Sequence, residues 1–292
     1  MVIVTELDAT RPLLEQALVL TNDANSPFLE RLHSSETNTV PSSVPSLFVM
    51  QGENAMCHAN QFQYVGSEDA TTCVIVIIEG NNYCYVSHID EGSYNDMAIW
   101  DYITQCTDSG KVIAKLYLAG GYTGSVPDDF LRFLLRVKSY SSKLDLVLCC
   151  CGSANLQPDG FPRIRSLVLN TREGKPYPYT FEYRGPEIFR RHTARSLGQR
   201  SVSILDQEGR LVLKGFRCDL NPATEWFYKE MLQLAKRDPP QFLDNFSTSP
   251  LHESEVFIPD MIGMLEFCLK NSRKNIGPLA FVLDGAIWTA AV

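Results

Sequence analysis

Basic patches are the first thing missing from this sequence. No block of lysines and arginines occurs in its 292 residues, and 34 acidic against 26 basic side chains leave a formal net charge of -8. Such a chain does not neutralise rows of phosphates, which argues against DNA or RNA as its partner. An acidic surface mildly favours cationic partners, such as the free amino group of a peptide. Long apolar runs are absent as well, so no segment reaches the length of a membrane span and no membrane partner is expected. The opening MVIVTELDATRP reaches an acid at Glu6 and lacks a basic start followed by an apolar run, so it does not read as a signal peptide. No GxSxG elbow, P-loop or GxGxxG is present. The glycines of LAGGYTG (118–124) follow a strand-like run without nucleotide-binding spacing, and serve a tight turn or line a site. His33, His58, His192 and His252 have no histidine three or four residues away, so no metal site and no cofactor is expected.

What is present is an ordinary globular composition, 45% hydrophobic and 21% charged, with enough apolar material for a sizeable core. Nine cysteines are scattered, an odd number without paired spacing, and three are adjacent at Cys149, Cys150 and Cys151. Adjacent strand residues point to opposite faces, so this triplet reads as the small apolar end of the buried strand LDLVLCCC, not as a shared metal site or a disulfide web. A reducing cytosolic or nuclear home fits that usage.

Along the chain, 8–34 reads as one or two short helices and SSETNTVPSSVPS as a loop or tether, so that 1–45 forms an N-terminal segment ahead of one domain over 46–292. The packed core is expected to begin near Leu47. Short strands follow in SLFVMQ, QFQYV, TCVIVIIE, YCYVSHI, KVIAKLYLAGG, KLDLVLCCC and IRSLVLN. TREGK and DQEGR read as hairpin turns. Helices are predicted at 94–106, 127–137, 186–197, 225–236 and 259–269. Strands joined by tight turns, with helices grouped apart, give α+β with mostly antiparallel sheets.

The richest segment is GSEDATTCVIVIIEGNNYCYVSHID, 66–90. Two apolar strands flank Gly80-Asn81-Asn82, and Gly-Asn suits a two-residue hairpin loop because glycine accepts the positive φ of a type II′ turn. With that loop, Cys73 and His88 fall directly opposite each other, their Cβ atoms about 5 Å apart on one face of the ladder. A turn at Asn81-Asn82 instead puts Asp90 opposite Cys73 and leaves His88 diagonal, still within reach. A thiol beside an imidazole is a means of activating a nucleophile. An imidazolium lowers the thiol pKa, and the same ring can protonate a leaving amine.

GSEDATTC ending at Cys73, SHID around His88, LAGGY at 118–122, RGPE at 184–187 and FSTSPL at 246–251 stand in the order seen in the eukaryotic protein N-terminal asparagine amidohydrolases. The chain resembles that family over roughly residues 45 to 270. The family groups with the CheD-like and YfiH-like cysteine hydrolases, which implies an α-β-β sandwich with flanking helices and a Cys, His and Ser or Thr catalytic set. Carried over, Cys73 matches the nucleophile, His88 its acid/base partner and Ser67 the hydroxyl that orients the imidazole. Two departures stand out: the Cys-to-His hairpin is shorter than in familiar members, and MVIVTELD does not resemble the Pro-leading starts of animal members.

The resemblance implies deamidation of an N-terminal asparagine through a Cys73 thioester. Backbone N–H groups near Thr72 and Cys73 would hold the oxyanion, and the resulting N-terminal aspartate would feed an N-degron route. Glu68 or Asp69 would meet the substrate ammonium, and Ser249, within 247–250, would line the pocket. The expectation is a cofactor-free monomer acting on peptides or proteins with a free N-terminal asparagine, in cytoplasm or nucleus. Two alternatives stay open: a glutamine side-chain deamidase or peptidase on the same scaffold, and a non-catalytic binder of N-terminal residues.

Overall fold

Strand alternation in five apolar runs sets the architecture. Val65, then Ile75 and Ile77, Cys84 and Val86, Tyr117 and Ala119, and Leu167 and Leu169 all belong to one buried cluster. A period of two puts such residues on one face of a pleated strand, so two sheets close over a shared interior. Each fully buried aliphatic side chain contributes about 1.5–3 kcal/mol to that closure. The computed structural model describes Phe28 and residues 38–90, 114–121, 144–199, 201–247 and 250–291.

The first strands are β1 (Thr39–Val40), β2 (Ser46–Phe48), β3 (Glu53–His58), β4 (Tyr64–Ala70), β5 (Val74–Glu79), β6 (Tyr83–Ile89), β7 (Ala114–Gly120), β8 (Leu144–Cys151), β9 (Arg165–Asn170), β10 (Lys175–Tyr177) and β11 (Thr180–Phe181). Helix α1 (Ile188–Ser196) follows, then β12 (Val202–Ser203), β13 (Leu211–Leu213) and β14 (Phe216–Cys218). Helices α2 (Pro222–Arg237), α3 (Pro239–Phe246) and α4 (Phe257–Lys270) precede β15 (Lys274–Ile276), β16 (Leu279–Asp284) and β17 (Ile287–Ala290). The larger main sheet runs β12-β3-β6-β5-β7-β8 and the smaller β10-β9-β4-β2. Within these two, β12–β3, β7–β8 and β2–β4 are parallel and the other neighbours antiparallel. The protein is α+β with mostly antiparallel sheets, as its segment pattern predicts.

Local signals explain where the helices start. Asn221 accepts from the Thr224 N–H at 2.9 Å with proline at the first helical position of α2, and Asp238 caps α3 in the same way. Met231, Ala235, Phe242, Met264 and Leu265 then bury the facing sides of α2, α3 and α4. Two ion pairs join the helices to the strands. Arg191 of α1 reaches Glu53 of β3 at 2.9 and 2.5 Å, and Arg184 grips Asp260 of α4 through two bonds of 2.6 and 2.7 Å.

The helices expected at 186–197, 225–236 and 259–269 occur as α1, α2 and α4. Those expected at 94–106 and 127–137 lie outside the described residues, as does 8–34 apart from the buried Phe28. Part of the expected tether is structured: Thr39 and Val40 pair in parallel with Thr180 and Phe181, and Val40 is buried against Phe48 and Phe181. The sequence reading passed over β3, whose ENAMCH mixes polar and apolar residues, the eight-residue α3, and β14 to β17. No helix among the described residues is long and apolar enough to cross a membrane.

Candidate active site

The inward face that buries Val65, Ile75 and Val86 ends in three polar side chains. Ser67 lies two residues beyond Val65 on β4, His88 two beyond Val86 on β6, and Cys73 two before Ile75 at the head of β5. Alternation therefore gathers a hydroxyl, an imidazole and a thiol at one end of the interior. The Ser67 hydroxyl of the smaller sheet meets His88 Nδ1 of the larger sheet at 2.7 Å. Ser67 and His88 are buried and Cys73 is half-buried. Ser67 is thus a strand residue bonded across the sandwich, not a turn serine.

The hairpin register differs from the favoured expectation. Val74 pairs with Ile89, Ile75 with His88 and Glu79 with Cys84, and the Gly80 N–H closes onto the Tyr83 carbonyl at 2.9 Å. The loop is therefore Asn81-Asn82, and Gly80 does not take up the left-handed conformation. Extending this register puts Asp90 across from Cys73 and leaves His88 diagonal. Both registers keep every side chain on the same face, so strand burial cannot choose between them. Ala59, just past β3, donates to the Asn82 carbonyl at 2.9 Å, so the β3 ladder follows β6 up to the loop.

Electrostatics changes the expected state of the dyad. Burial, with a smaller push from Arg195, lowers the His88 pKa from 6.5 to about 3, and Asp90 opposes this weakly. His88 is therefore neutral at ordinary pH, and the resting site holds no imidazolium to depress the thiol. Its Nε2 is buried without a hydrogen-bond partner among the described residues. Asp90, itself buried, lies 3.4 Å from Arg195 of α1.

The turn carrying Cys73 is braced from two sides. Gly121 donates to the Cys73 carbonyl at 2.7 Å. Gly120 pairs with Val74 at φ +103, and a Cβ there would collide with that same carbonyl oxygen and sit 3.0 Å from the Ala70 Cβ. The glycines of LAGGY thus let β7 close on the backbone of Cys73. On the other side the buried Asn155 amide donates to the Thr71 carbonyl at 3.3 Å, while its Oδ1 accepts from Arg165 Nε at 2.6 Å. Neither Asn155 nor Arg165 was singled out in the sequence. The only signal was an asparagine and an arginine next to apolar strand ends.

The remaining expected residues divide. Thr72 Oγ1 is 3.9 Å from Cys73 Sγ, which puts Thr72 at the site. Glu68 is turned to the opposite face of β4 from Ser67. There its carboxylate accepts from the Phe181 N–H at 2.9 Å and lies 3.6 Å from Arg184, so it does not sit with Ser67, Cys73 and His88. Burial, then the neighbouring Asp69, pushes its pKa up to about 7. Asp69 occupies a left-handed position, φ 64, at an irregularity in the β4–β9 pairing, and bonds to Ser254. Burial raises its pKa. Ser249 lies outside the described residues, and Ser247 caps the end of α3 and bonds to Glu253. GSED, RGPE and the residues after FSTSPL nevertheless converge, through Glu68, Asp69, Arg184, Ser254 and Asp260.

Known proteins resemble this chain over most of its length. The model of the family described as protein N-terminal asparagine amidohydrolase matches residues 35–278. Relatives of that name from Mus musculus, 25% identical over 92% of this chain and 90% of its own length, and from Homo sapiens, 26% identical over 85% and 83%, align with it. One from Sus scrofa is 26% identical over 85% of this chain and 82% of the relative. With the match spanning most of the chain, from before β1 into the C-terminal strands, this protein belongs to the protein N-terminal asparagine amidohydrolase family.

Proposed function

We propose that this protein hydrolyses the side-chain amide of an N-terminal asparagine, giving N-terminal aspartate and ammonia, with Cys73 as nucleophile. The observation that carries the reading is His88: its Nδ1 is fixed by Ser67, and its buried Nε2 makes no hydrogen bond among the described residues. A neutral ring held in that way is a general base awaiting a proton. With Nδ1–H donating to Ser67 Oγ, Nε2 takes the Cys73 proton as sulfur bonds to the amide carbon. The tetrahedral oxyanion is held by backbone N–H groups at Thr72 and Cys73. His88 then returns that proton to the amide nitrogen, the C–N bond breaks and ammonia leaves. Water, deprotonated by His88, attacks the thioester, the C–S bond breaks and the thiolate regains its proton.

Asp69, whose carboxylate bonds to Ser254, is the acid we assign to the substrate ammonium, since Glu68 is held by both the Phe181 N–H and Arg184. The aspartate produced would enter an N-degron route in cytoplasm or nucleus. Eight free cysteines among the described residues suit a reducing compartment.

The test is mass spectrometry and ammonia release on a peptide beginning with free asparagine, beside Gln-first and N-acetylated peptides. Conversion of the free Asn peptide alone is expected, with none by Cys73→Ala. Ser67→Ala should lose roughly 10–100-fold in kcat, less than the roughly 10²–10⁴-fold worth of the acid/base itself because the ring remains in place, and Asp69→Asn should act chiefly on KM. No turnover of any peptide by folded, reduced protein would leave a binding role. Turnover of the Gln-first peptide would keep the dyad and overturn the specificity.

A further inference from the structure

Beside the catalytic end of the larger sheet, α1, the start of β3 and the β13 region enclose a cleft lined by Gly52, Arg190, Arg195, Gln199, Val212 and Lys214. It is distinct from the Cys73 turn and adjoins it through Gly52, which donates to the His88 carbonyl at 2.8 Å. In a chain of net charge -8 this concentration of cations is unusual. Arg190 is only 4% exposed and finds backbone acceptors alone, the carbonyls of Lys214 at 3.2 Å and Gly277. Its Nε and that of Arg195 are both buried with no acceptor among the described residues.

Nearby carboxylates do not fill this demand. Glu53 is taken up by Arg191 at 2.9 and 2.5 Å, and Asp90 accepts a hydrogen bond from the terminal nitrogen of Arg195 at 3.4 Å, an ion pair that does not reach Arg195 Nε. Glu187 acts on Arg190 through its field, yet burial still holds the Arg190 pKa below its ordinary value. An unpartnered buried guanidinium donor is costly, and the group that relieves it best is a planar or tetrahedral oxyanion accepting several N–H bonds. The exposed Lys214 ammonium adds a point charge at the rim.

We propose that this cleft is a binding site for one compact oxyanion, held by Arg190 and Arg195 with Lys214 at its mouth. The anion is either a free phosphate-class ion or a carboxylate of a bound peptide. The site does not depend on the amidase reading, because binding is measured without turnover.

Full-length protein is titrated calorimetrically with inorganic phosphate, at ionic strength held constant with chloride, and separately with one short peptide bearing a free or an amidated C-terminus. Wild-type protein should bind one equivalent of phosphate, or of the free-carboxylate peptide in preference to its amide; whichever binds identifies the source. Lys214→Glu, an exposed change that leaves folding intact, should weaken that binding by about tenfold, the scale of one charge-assisted contact. Arg190→Met should abolish it. Saturable binding that both variants retain at wild-type strength, or no binding of either probe, overturns the proposal.

Discussion

At the scale of single residues, the two most informative groups are His88 and Glu68, because burial moves their pKa values in opposite senses. A general base works in its unprotonated form, and His88 titrates only near 3 in the folded protein. The acid limb of kcat/KM assigned to this base is therefore expected well below pH 5, not at the ordinary imidazole value. A limb near 6.5 that survives Glu68→Gln would sink the neutral-base mechanism. Glu68 itself bears on stability. Its pKa rises from 4.5 unfolded to about 7 folded, so the folded state binds more protons between those values and stability falls as pH rises through that window. At about 1.4 kcal/mol per unit the loss is on the order of 3 kcal/mol. Glu68→Gln keeps an acceptor for the Phe181 N–H and removes the titration. Denaturant unfolding should then find it more stable than wild type at pH 8 and not at pH 4.5, and equal pH slopes for the two proteins would refute the assignment. Sequence could name Glu68 as an acid near Cys73. The faces of β4 decided where it points, and the residue identity alone did not carry that.

At the scale of elements, the proposed catalytic set rests on alternation, and alternation was legible. Ile75, Val86 and Val65 mark the inward face, and Cys73, His88 and Ser67 continue it by steps of two. The register within the hairpin was not legible, because both candidate turns satisfy that pattern. The bracing of the Cys73 turn by Asn155 and Arg165 was equally hidden, since it joins segments more than eighty residues apart by side-chain bonds that no periodicity reports. LAGGY offered more, and it supports a prediction. Gly120 and Gly160 both have positive φ, +103 and +86, but a Cβ at Gly160 meets nothing within 4 Å whereas one at Gly120 strikes the Cys73 carbonyl. Gly160→Ala should cost about 1 kcal/mol from backbone strain alone. Gly120→Ala should cost roughly 3 kcal/mol or more, with kcat falling in whatever folds if Cys73 is the nucleophile proposed, because the collision displaces the Cys73 peptide. Equal costs in urea unfolding would show that β7 does not hold the turn.

At the scale of the whole molecule, the sheets and the helices are joined by charge as well as by apolar packing. Arg191 is 3% exposed and Glu53 7%, and beyond their mutual bonds Arg191 also donates to the carbonyls of Phe48, at 3.1 Å, and Arg184, at 2.8 Å. One guanidinium therefore spans β2, β3 and the approach to α1, next to the strand that neighbours His88. The α+β class and three of the helices could be read from hydrophobic periodicity, but this clamp could not, since arginine in a helix ordinarily faces water. Desolvating such a pair offsets much of its attraction, so its net stabilisation is small while removal of one partner is severe. Arg191→Met should cost about 3–5 kcal/mol, because Glu53 stays buried without its cation. Adding Glu53→Gln to Arg191→Met should recover a large part of that loss, as the neutral amide no longer demands a counter-ion. A double-mutant cycle in urea reads both numbers. If the single change cost less than about 1 kcal/mol, the ordinary range of an exposed pair, Glu53 would have found another partner or water, and α1 would be held to the sheet by its apolar contacts alone.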